Sequence, residues 1–434
     1  MIKKHIAFFI SNRTYSDVDC RRIVDGNPGI GGTEYMNLLI SYLLTIRDNG
    51  IEVIVYTTAA GLLPVELHTE VVPDLKYAVL DADKKECDFL IFNCDTQNIS
   101  LVEGMELQYT KFIVWCHNFA SRFLLDTIAS DNRIWKIITV GREQKDIYRD
   151  HPVFYKTEYI YNCINVGIGD KYCVSSYPIK DRRNIVTYLG VISKYKGFHC
   201  LAEAWPKVVS AIPDAQLYVI GAGNLYDRNM KLGKWGIADE EYEDYFMPFL
   251  SKNGNVLDSV HFLGIMGEEK NEILLQTKVG VPGIGVPETF GLVTLEMQVM
   301  GCSIVAKECA GYLDTVLSGK LIKSRNDLTK SIIQELRNPH NNYRETIEAI
   351  RGRFSPDAVI KDWEELLLKG HIIRDNSMMN SHFRMKFLKE WIRIIKRKFS
   401  WFEFIPTVEA FYSYFFWKTL RLRKRNRFDC ADLY

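Results

Sequence analysis

The stretch PETFGLVTLE, residues 287–296, places two carboxylates, Glu288 and Glu296, on either side of seven residues that include one glycine. On a helix, eight positions are slightly more than two turns, which separates the carboxylates by about 12 Å of rise along roughly one face. Residues 290–293 would present backbone N–H groups at a helix amino terminus, where a diphosphate is favoured electrostatically. The spacing therefore predicts a sugar-nucleotide site. The structural alternative is a surface helix with two solvated glutamates.

The length and composition of the chain indicate a globular protein of two or three domains. It has 434 residues, of which 47% are hydrophobic, and a chain of that length exceeds one ordinary core. Its 10 cysteines include no CxxC pair, which predicts reduced thiols in a cytosolic protein. Residues 6–10 form a short apolar run that is typical of a first buried strand rather than of a signal peptide. No stretch reaches the roughly 18 apolar residues of a spanning helix, so we expect a cytoplasmic protein.

Up to about residue 370 the sequence alternates short β-branched runs with longer amphipathic stretches, which is typical of βαβ units and parallel sheets. Two Rossmann-like halves fit this pattern best. Strands are predicted at residues 5–10, 51–57, 89–93, 111–117 and 136–140, and again at 185–189, 215–220, 260–263, 279–281 and 303–306. Helices are predicted at residues 200–210, 270–275 and 294–300, after the segment 31–34 with Thr33 as its cap, and from Pro356, capped by Ser355, to about residue 368. Residues 176–184 are predicted to connect the two halves.

Four segments, read together, resemble the retaining, nucleotide-sugar-dependent group-one glycosyltransferases, a family with the GT-B fold. The resemblance covers roughly residues 1–370, and its strongest part is VPETFGLVTLE at residues 286–296, which matches the donor-site signature of the family. In that family the first glutamate of the signature lies beside the transferred sugar, and the second binds the ribose hydroxyls. The resemblance therefore implies that Glu288 contacts the sugar and that Glu296 binds the ribose.

The segment YLGVISKYKGF, residues 188–198, resembles the strand, loop and helix start that carry the basic residues of the family for the donor diphosphate. Lys196 matches the family lysine, and the resemblance implies that it stabilises charge on the leaving phosphate. The family commonly has an arginine directly after the glycine, where this chain has Val191. Lys194 is a candidate substitute from the same loop. The structural alternative for Lys196 is an exposed loop lysine.

Further parts of the chain resemble the cleft of the family. Gly31 and Gly32 would let the backbone approach a phosphate or an acceptor closely, although a glycine pair alone usually marks a turn. His117 ends a predicted strand, where the family often has a histidine that reaches the cleft; a buried structural histidine is the alternative. Asn162 resembles a family asparagine before the hinge. Gly223, in a turn after a strong strand, would lie at the carboxyl edge of the second sheet, where open α/β sheets bind ligands.

The sequence thus predicts a set of cleft residues and no metal site. The predicted catalytic residues are Glu288, Lys196 and His117, and the predicted donor-binding residues are Glu296, Gly31, Gly32, Lys194, Gly223, Phe290, Gly291, Leu292 and Val293. The Asp-x-Asp segments at residues 17–19 and 81–83 are interpreted as loops, because the family generally needs no metal and no cluster has credible ligand spacing. No cofactor is expected beyond the nucleoside diphosphate sugar, which is the donor substrate.

The carboxyl-terminal tail is strongly basic. Residues 374–434 hold 14 Lys/Arg and 6 Asp/Glu, a net charge of +8, which leaves −7 for the rest of a chain whose net charge is +1. At helical spacing, residues 383–399 place most of their aromatic and aliphatic side chains on one side and basic ones on the other, which predicts a basic amphipathic helix. Such a tail favours contact with an anionic membrane surface. Packing on the protein or a partner, and RNA binding, are the alternatives.

These expectations combine into an α/β protein of GT-B fold, in which two Rossmann-like domains face a cleft and a basic amphipathic helical tail follows. Residues 1–180 are expected to form the acceptor-side domain, 184–354 the nucleotide-sugar-binding domain, 355–370 a helix returning toward the first domain, and 371–434 the membrane-associating tail.

The reaction implied by the resemblance is retaining transfer of a sugar to a hydroxyl of a glycan or lipid-linked acceptor. We expect it to serve bacterial surface polysaccharide assembly at the inner face of the cell membrane. A catalytically silent homologue that acts as a membrane-bound assembly or regulatory module is the main alternative. Nucleic-acid binding is not expected, because no recognised RNA-binding motif accompanies the tail.

Overall fold

Two parallel β-sheets, each between layers of helices, form the part of the chain that the computed structural model describes, residues 3–149, 151–225, 227, 229–340 and 342–372. The tail from residue 373 onward, with the helix predicted at 383–399, lies outside the described residues. Within the described ranges, no helix has the length and apolar character needed to cross a membrane.

The first sheet has seven strands in the order β3-β2-β1-β4-β5-β6-β7, all parallel to their neighbours. Its strands are β1 (Lys4–Ile10), β2 (Ile51–Thr57), β3 (His68–Val71), β4 (Phe89–Asn93), β5 (Lys111–Cys116), β6 (Ile134–Thr139) and β7 (Thr157–Tyr159). Its helices are α1 (Gly32–Thr45), α2 (Leu75–Lys84), α3 (Thr96–Val102), α4 (Arg122–Ser130), α5 (Arg142–Ile147) and α6 (Gly167–Lys171). The central strands are nearly continuous apolar runs because helices cover both faces of the sheet.

The second sheet has six parallel strands in the order β12-β9-β8-β13-β14-β15, beside a short hairpin of β10 and β11. The strands are β8 (Ile185–Leu189), β9 (Gln216–Ile220), β10 (Ser251–Lys252), β11 (Asn255–Val256), β12 (Val260–Gly264), β13 (Val279–Gly280), β14 (Ser303–Lys307) and β15 (Gly319–Ile322). The helices are α7 (Phe198–Ala211), α8 (Glu240–Phe246), α9 (Lys270–Gln276), α10 (Leu292–Val299), α11 (Ala310–Thr315), α12 (Leu328–Arg337), α13 (Tyr343–Phe354) and α14 (Pro356–Lys369).

The last described helix, α14, packs on the first domain although it follows the second domain in sequence. Its Trp363 ring lies 4.9 Å from the ring of Trp115 on β5, in an edge-to-face arrangement. Ser355 accepts a hydrogen bond from the backbone N–H of Ala358 at the start of α14, as its predicted role as a cap requires. Phe290 of the second domain joins the same apolar core as β5 and α14, so one continuous core links the two domains.

The predicted fold class is confirmed by the two Rossmann-like sheets, and every predicted strand is present within one or two residues at either end. Three local predictions were wrong. Residues 81–83, which were interpreted as a loop, lie inside α2. Thr33 does not cap α1, because Gly31 occupies the cap position and Thr33 lies inside the helix. Glu288 does not share a helix with Glu296, because Gly291 adopts a φ of +89° and α10 begins only at Leu292.

Candidate functional site

A cleft of about 980 Å³ is lined by residues of both domains. Its lining includes Arg13, Tyr15, Gly31, Gly32 and Asn118 of the first domain and Tyr195, Lys196, Glu288 and Thr289 of the second. A cavity of about 280 Å³, here called the Glu296 cavity, adjoins the cleft, and Lys196, Glu288 and Thr289 line both. The Glu296 cavity is also lined by His117, Asn162, Val191, Lys270, Phe290, Gly291, Leu292, Val293 and Glu296. A separate groove of about 560 Å³, beside the interdomain connection, holds none of the predicted site residues.

Lys196 and Glu288, which are far apart in sequence, meet where the two spaces join. The Lys196 ammonium nitrogen lies 2.5 Å from Glu288 Oε2. The loops that carry them are held together by a 3.1 Å hydrogen bond from the Gly285 N–H to the Lys196 carbonyl oxygen. A Cβ added at Gly197 would lie 2.6 Å from the Gly285 nitrogen, so this close approach requires glycine. The backbone of the two loops therefore fixes the ion pair in place.

Glu296 lies in α10 and faces a cation that the sequence analysis did not identify. Lys270, the first residue of α9, has its ammonium nitrogen 3.7 Å from Glu296 Oε2. Val191, at the position of the missing family arginine, lines the same cavity. The only sequence signal for Lys270 was its position at a helix start just after a parallel strand, where ligand-binding residues concentrate. The Glu296 cavity therefore contains two lysines, Lys196 and Lys270.

The amino terminus of α10 opens onto the Glu296 cavity. Gly291 precedes the helix with a left-handed backbone, and an added Cβ would lie 2.7 Å from the ring of Tyr312. Leu292 and Val293, the first two residues of α10, line the cavity. The buried ring of Phe290 packs against aromatic rings of the interdomain core and anchors this turn. Backbone N–H groups of a first helical turn favour an anion.

His117 is a buried, neutral group at the end of β5. Burial lowers the pKa of its imidazole to about 3, so the ring is uncharged at neutral pH. Its Nε2 has no hydrogen-bond partner among the described residues, and neither has Oδ1 of Asn162, which lines the same cavity. Buried polar atoms in proteins are nearly always hydrogen-bonded to protein or water. Both groups are therefore candidates for contact with a bound ligand.

Two of the predicted donor-binding residues do not line the cleft or the Glu296 cavity. Lys194 is exposed, and its ammonium nitrogen lies 5.6 Å from the centre of the Tyr195 ring. Gly223 packs closely against the backbone of Ala238 instead, since an added Cβ would lie 2.7 Å from the Ala238 Cα. Gly221 lines the Glu296 cavity in its place.

Gly31 and Gly32 are brought to the cleft at the start of α1. A Cβ added at Gly31 would lie 2.1 Å from Glu34 Oε2, so Gly31 lets this carboxylate fold back over the helix start. No described group of three or more His, Cys, Asp or Glu side chains has an arrangement that could hold a metal ion.

Comparison with known proteins gives one family match and many structural neighbours. Residues 174–353 match the family model described as "Glycosyl transferases group 1". Among curated protein sequences, none matches the chain.

Three neighbours of known structure illustrate the fold. Anabaena HepE, in complex with UDP and glucose, has a TM-score of 0.60 at 15% identity, over 84% of this chain and 100% of its own. Sucrose-phosphate synthase from Thermosynechococcus elongatus has a TM-score of 0.60 at 17% identity, over 85% and 99%. A glycosyltransferase from Rickettsia africae has a TM-score of 0.59 at 13% identity, over 85% and 100%. At these identities the neighbours establish the architecture, which is GT-B.

Proposed function

From its membership of the group 1 glycosyltransferases, we propose that this chain transfers a sugar from a nucleoside diphosphate sugar to a hydroxyl group, with retention at the anomeric carbon. The observation that carries the proposal is the meeting of Lys196 and Glu288 beside the amino terminus of α10, with Glu296 on that helix. Cations and helix N–H groups suit a diphosphate, and carboxylates suit the hydroxyls of the ribose and the sugar.

In this proposal the donor spans the Glu296 cavity. The diphosphate lies at the start of α10, where Lys196 and Lys270 balance its charge and no metal ion is needed. Glu296 accepts hydrogen bonds from the ribose hydroxyls. Glu288 lies beside the transferred sugar, and the neutral imidazole of His117 offers a hydrogen bond from the first-domain side.

The proposed chemistry takes place on one face of the sugar. The bond between the anomeric carbon and the leaving phosphate oxygen breaks as the acceptor oxygen bonds to the same face, and a phosphate oxygen takes the acceptor proton. Lys196 stabilises the negative charge that develops on the phosphate. Glu288 orients the sugar and does not act as a nucleophile. Its ion pair with Lys196 holds the carboxylate in place for this orienting role.

The acceptor in this proposal enters through the larger cleft, between the first domain and the Glu288 loop. We propose a glycan or lipid-linked hydroxyl, in bacterial surface polysaccharide assembly at the inner face of the cell membrane. The net charge of +8 over residues 374–434 supports this choice of acceptor, because basic segments bind anionic lipid.

A panel of nucleoside diphosphates and their sugars tests the proposal. One nucleoside diphosphate should raise the thermal midpoint, since a ligand that binds only the native state stabilises by about 2.7 kcal/mol at a hundred times its Kd. The matching radiolabelled sugar nucleotide should be turned over with membrane extract as acceptor source. A panel in which nothing binds and nothing is turned over would overturn the proposal.

A second candidate function is a catalytically silent homologue that serves as an assembly or regulatory module. The observation that favours it is Val191, an apolar side chain in the cavity where the family commonly places an arginine. Nucleotide binding without turnover of any sugar nucleotide would support this second candidate over the first.

A further inference from the structure

One contact between the two domains lies directly beside Glu288. The hydroxyl of Thr289 donates a 2.7 Å hydrogen bond to the carbonyl oxygen of His117. Both residues are buried. Because Thr289 follows Glu288 in the chain and His117 ends β5, this bond ties the glutamate loop of the second domain to the first sheet.

Asp314, on α11 of the second domain, makes the second crossing. Its carboxylate accepts a 3.3 Å hydrogen bond from the backbone N–H of Glu143 in the first turn of α5, and another of 3.3 Å from the Tyr161 hydroxyl. The Arg142 Nε lies 3.7 Å from the same carboxylate, whose side chain is only 2% exposed. Three first-domain residues therefore converge on one buried carboxylate of the second domain.

Helix α11 is in turn joined to the backbone of Glu288. The Gly311 N–H donates a 2.8 Å hydrogen bond to the Glu288 carbonyl oxygen. A Cβ added at Gly311 would lie 2.4 Å from the Phe290 Cα, so no space separates α11 from this loop. A displacement of Asp314 and its helix is therefore transmitted to Glu288.

Gly141, in the turn between β6 and α5, lies close to both interdomain contacts. A Cβ added at Gly141 would lie 3.1 Å from Asp314 Oδ2 and 3.2 Å from the Thr289 carbonyl oxygen. The two contacts thus belong to one interface between the domains, with Glu288 beside it.

We propose that Thr289 and Asp314 form an interdomain clamp, through which contact with the first domain sets the position of Glu288 for sugar transfer. The inference rests on the proposed role of Glu288 and adds how its position is fixed. Both members are positioning residues, since Asp314 lines neither the cleft nor the Glu296 cavity and the Thr289 hydroxyl is engaged by His117. The donor-binding groups lie mainly on the second domain, so loss of the clamp lowers kcat and leaves donor affinity in place.

The test compares Thr289→Val, which keeps the side-chain shape and removes the hydroxyl, with Thr289→Ser, which keeps the hydroxyl. We expect Thr289→Val to lower kcat about tenfold, the worth of roughly one buried hydrogen bond, with the Kd for the nucleoside diphosphate within twofold of wild type. Thr289→Ser should restore most of the lost kcat. Thr346→Val is the matched control, because Thr346 is buried on α13 and its hydroxyl has no partner among the described residues.

A second readout needs no donor and separates this inference from the proposed function. In Thr289→Val the backbone amide of Glu143, which bonds to Asp314 and not to Thr289, should exchange its hydrogen faster than in wild type. If Thr289→Val is too unstable to study, Gly141→Ala presses on the same interface from the first domain and should also lower kcat without weakening donor binding.

The outcomes divide clearly. A fall in kcat at constant Kd, together with faster exchange at Glu143, supports the clamp. Wild-type kcat, a parallel loss of donor affinity, or unchanged exchange at Glu143 overturns it. If the wild-type protein transfers no sugar, the proposed function fails, and exchange at Glu143 alone decides whether the clamp exists.

Discussion

The two sides of the Glu296 cavity are built from different chemistry. On the second-domain side, Lys196, Lys270, Glu288 and Glu296 form ion pairs around the amino terminus of a helix. On the first-domain side, His117 is a neutral group held inside the protein, and its Nε2 lacks a partner among the described residues. Charge is therefore concentrated where the proposed diphosphate lies, and neutral groups of the first domain face it across the Glu296 cavity.

In the proposed reaction the two sides therefore have different tasks. Charged groups bind and stabilise a charged donor, and their effect is strong in a partly enclosed site. The neutral first-domain side of the Glu296 cavity can instead orient the transferred sugar by shape and by directed hydrogen bonds. Substitutions on the second-domain side should therefore affect the reaction more than those on the first-domain side.

The largest expected effect is that of Lys196→Ala. Removal of a preorganised electrostatic group from a developing charge lowers kcat about 100-fold to 1,000-fold in comparable sites. The loss should appear in kcat as well as in donor affinity, because the phosphate charge grows as the glycosidic bond breaks. Steady-state turnover of the sugar nucleotide measures it. Full activity in this variant would place the catalytic cation elsewhere and remove the basis of the comparison.

A smaller effect is expected of Glu296→Ala, which should weaken nucleotide binding by about tenfold or more. An ionised carboxylate that accepts ribose hydroxyls contributes roughly 1.5 to 3 kcal/mol. Calorimetric titration with the nucleoside diphosphate measures the change in Kd. The matched titration uses a ligand with a 2′,3′-dideoxyribose, which should bind wild type and variant alike. Unchanged affinity for the normal ribose would mean that Glu296 serves only its ion pair with Lys270.

Most of the strands that the sequence pattern predicted lie inside a sheet and are largely buried, although the half-buried edge strand β12 was predicted as well. β2 and β4 were predicted to the residue, because a parallel strand inside a sheet is a nearly continuous apolar run. The edge strand β3, which reads HTEV and is mostly exposed, carries no such pattern, and β7 has only three residues. Edge strands form by pairing with a neighbour already in place, which composition alone does not reveal.

The candidate site was also predictable from the sequence only in part. Lys196 and Glu288 were identified as members of separate motifs, but their contact depends on the backbone bond between Gly285 and Lys196 and has no local signature. Lys270 was missed because a lysine among glutamates at a helix start usually marks a solvated face. The direction of a loop side chain, as at Lys194, depends on packing from the rest of the molecule.

On the first-domain side, His117 should make stability depend on pH. Burial holds its pKa near 3, below the value of 6.5 for an exposed histidine, so the unfolded chain binds a proton below pH 6.5 that the native protein does not. The contribution of His117 to the free energy of unfolding is therefore fully present above pH 6.5 and is lost as the pH falls toward 3. The loss at pH 5 is about 2 kcal/mol.

The variant His117→Gln should remove this part of the pH dependence. Urea unfolding at pH 7 and pH 5 measures it, as the difference between variant and wild type at each pH. His371→Gln is the matched substitution at an exposed histidine, and the effect of His117→Gln is compared with it at each pH. Identical pH dependence in wild type and His117→Gln would show that the ring binds a proton in the native protein as readily as in the unfolded chain. The contrast between the charged and the neutral side of the Glu296 cavity would then be lost.

The smallest expected effect distinguishes two lysines of the second domain. Lys270 lies 3.7 Å from Glu296 and lines the Glu296 cavity, whereas Lys194 is exposed and does not line it. Lys270→Met should therefore weaken nucleoside diphosphate binding about fivefold, near 1 kcal/mol for one partly screened charge, and Lys194→Met should leave the Kd unchanged. The effect of Lys270→Met should shrink as salt is added, because screening weakens the contact. The reverse ranking in a titration would mean that the loop after β8 supplies the second cation when the donor binds, as the sequence first suggested, and that the cation of α9 serves only to hold Glu296.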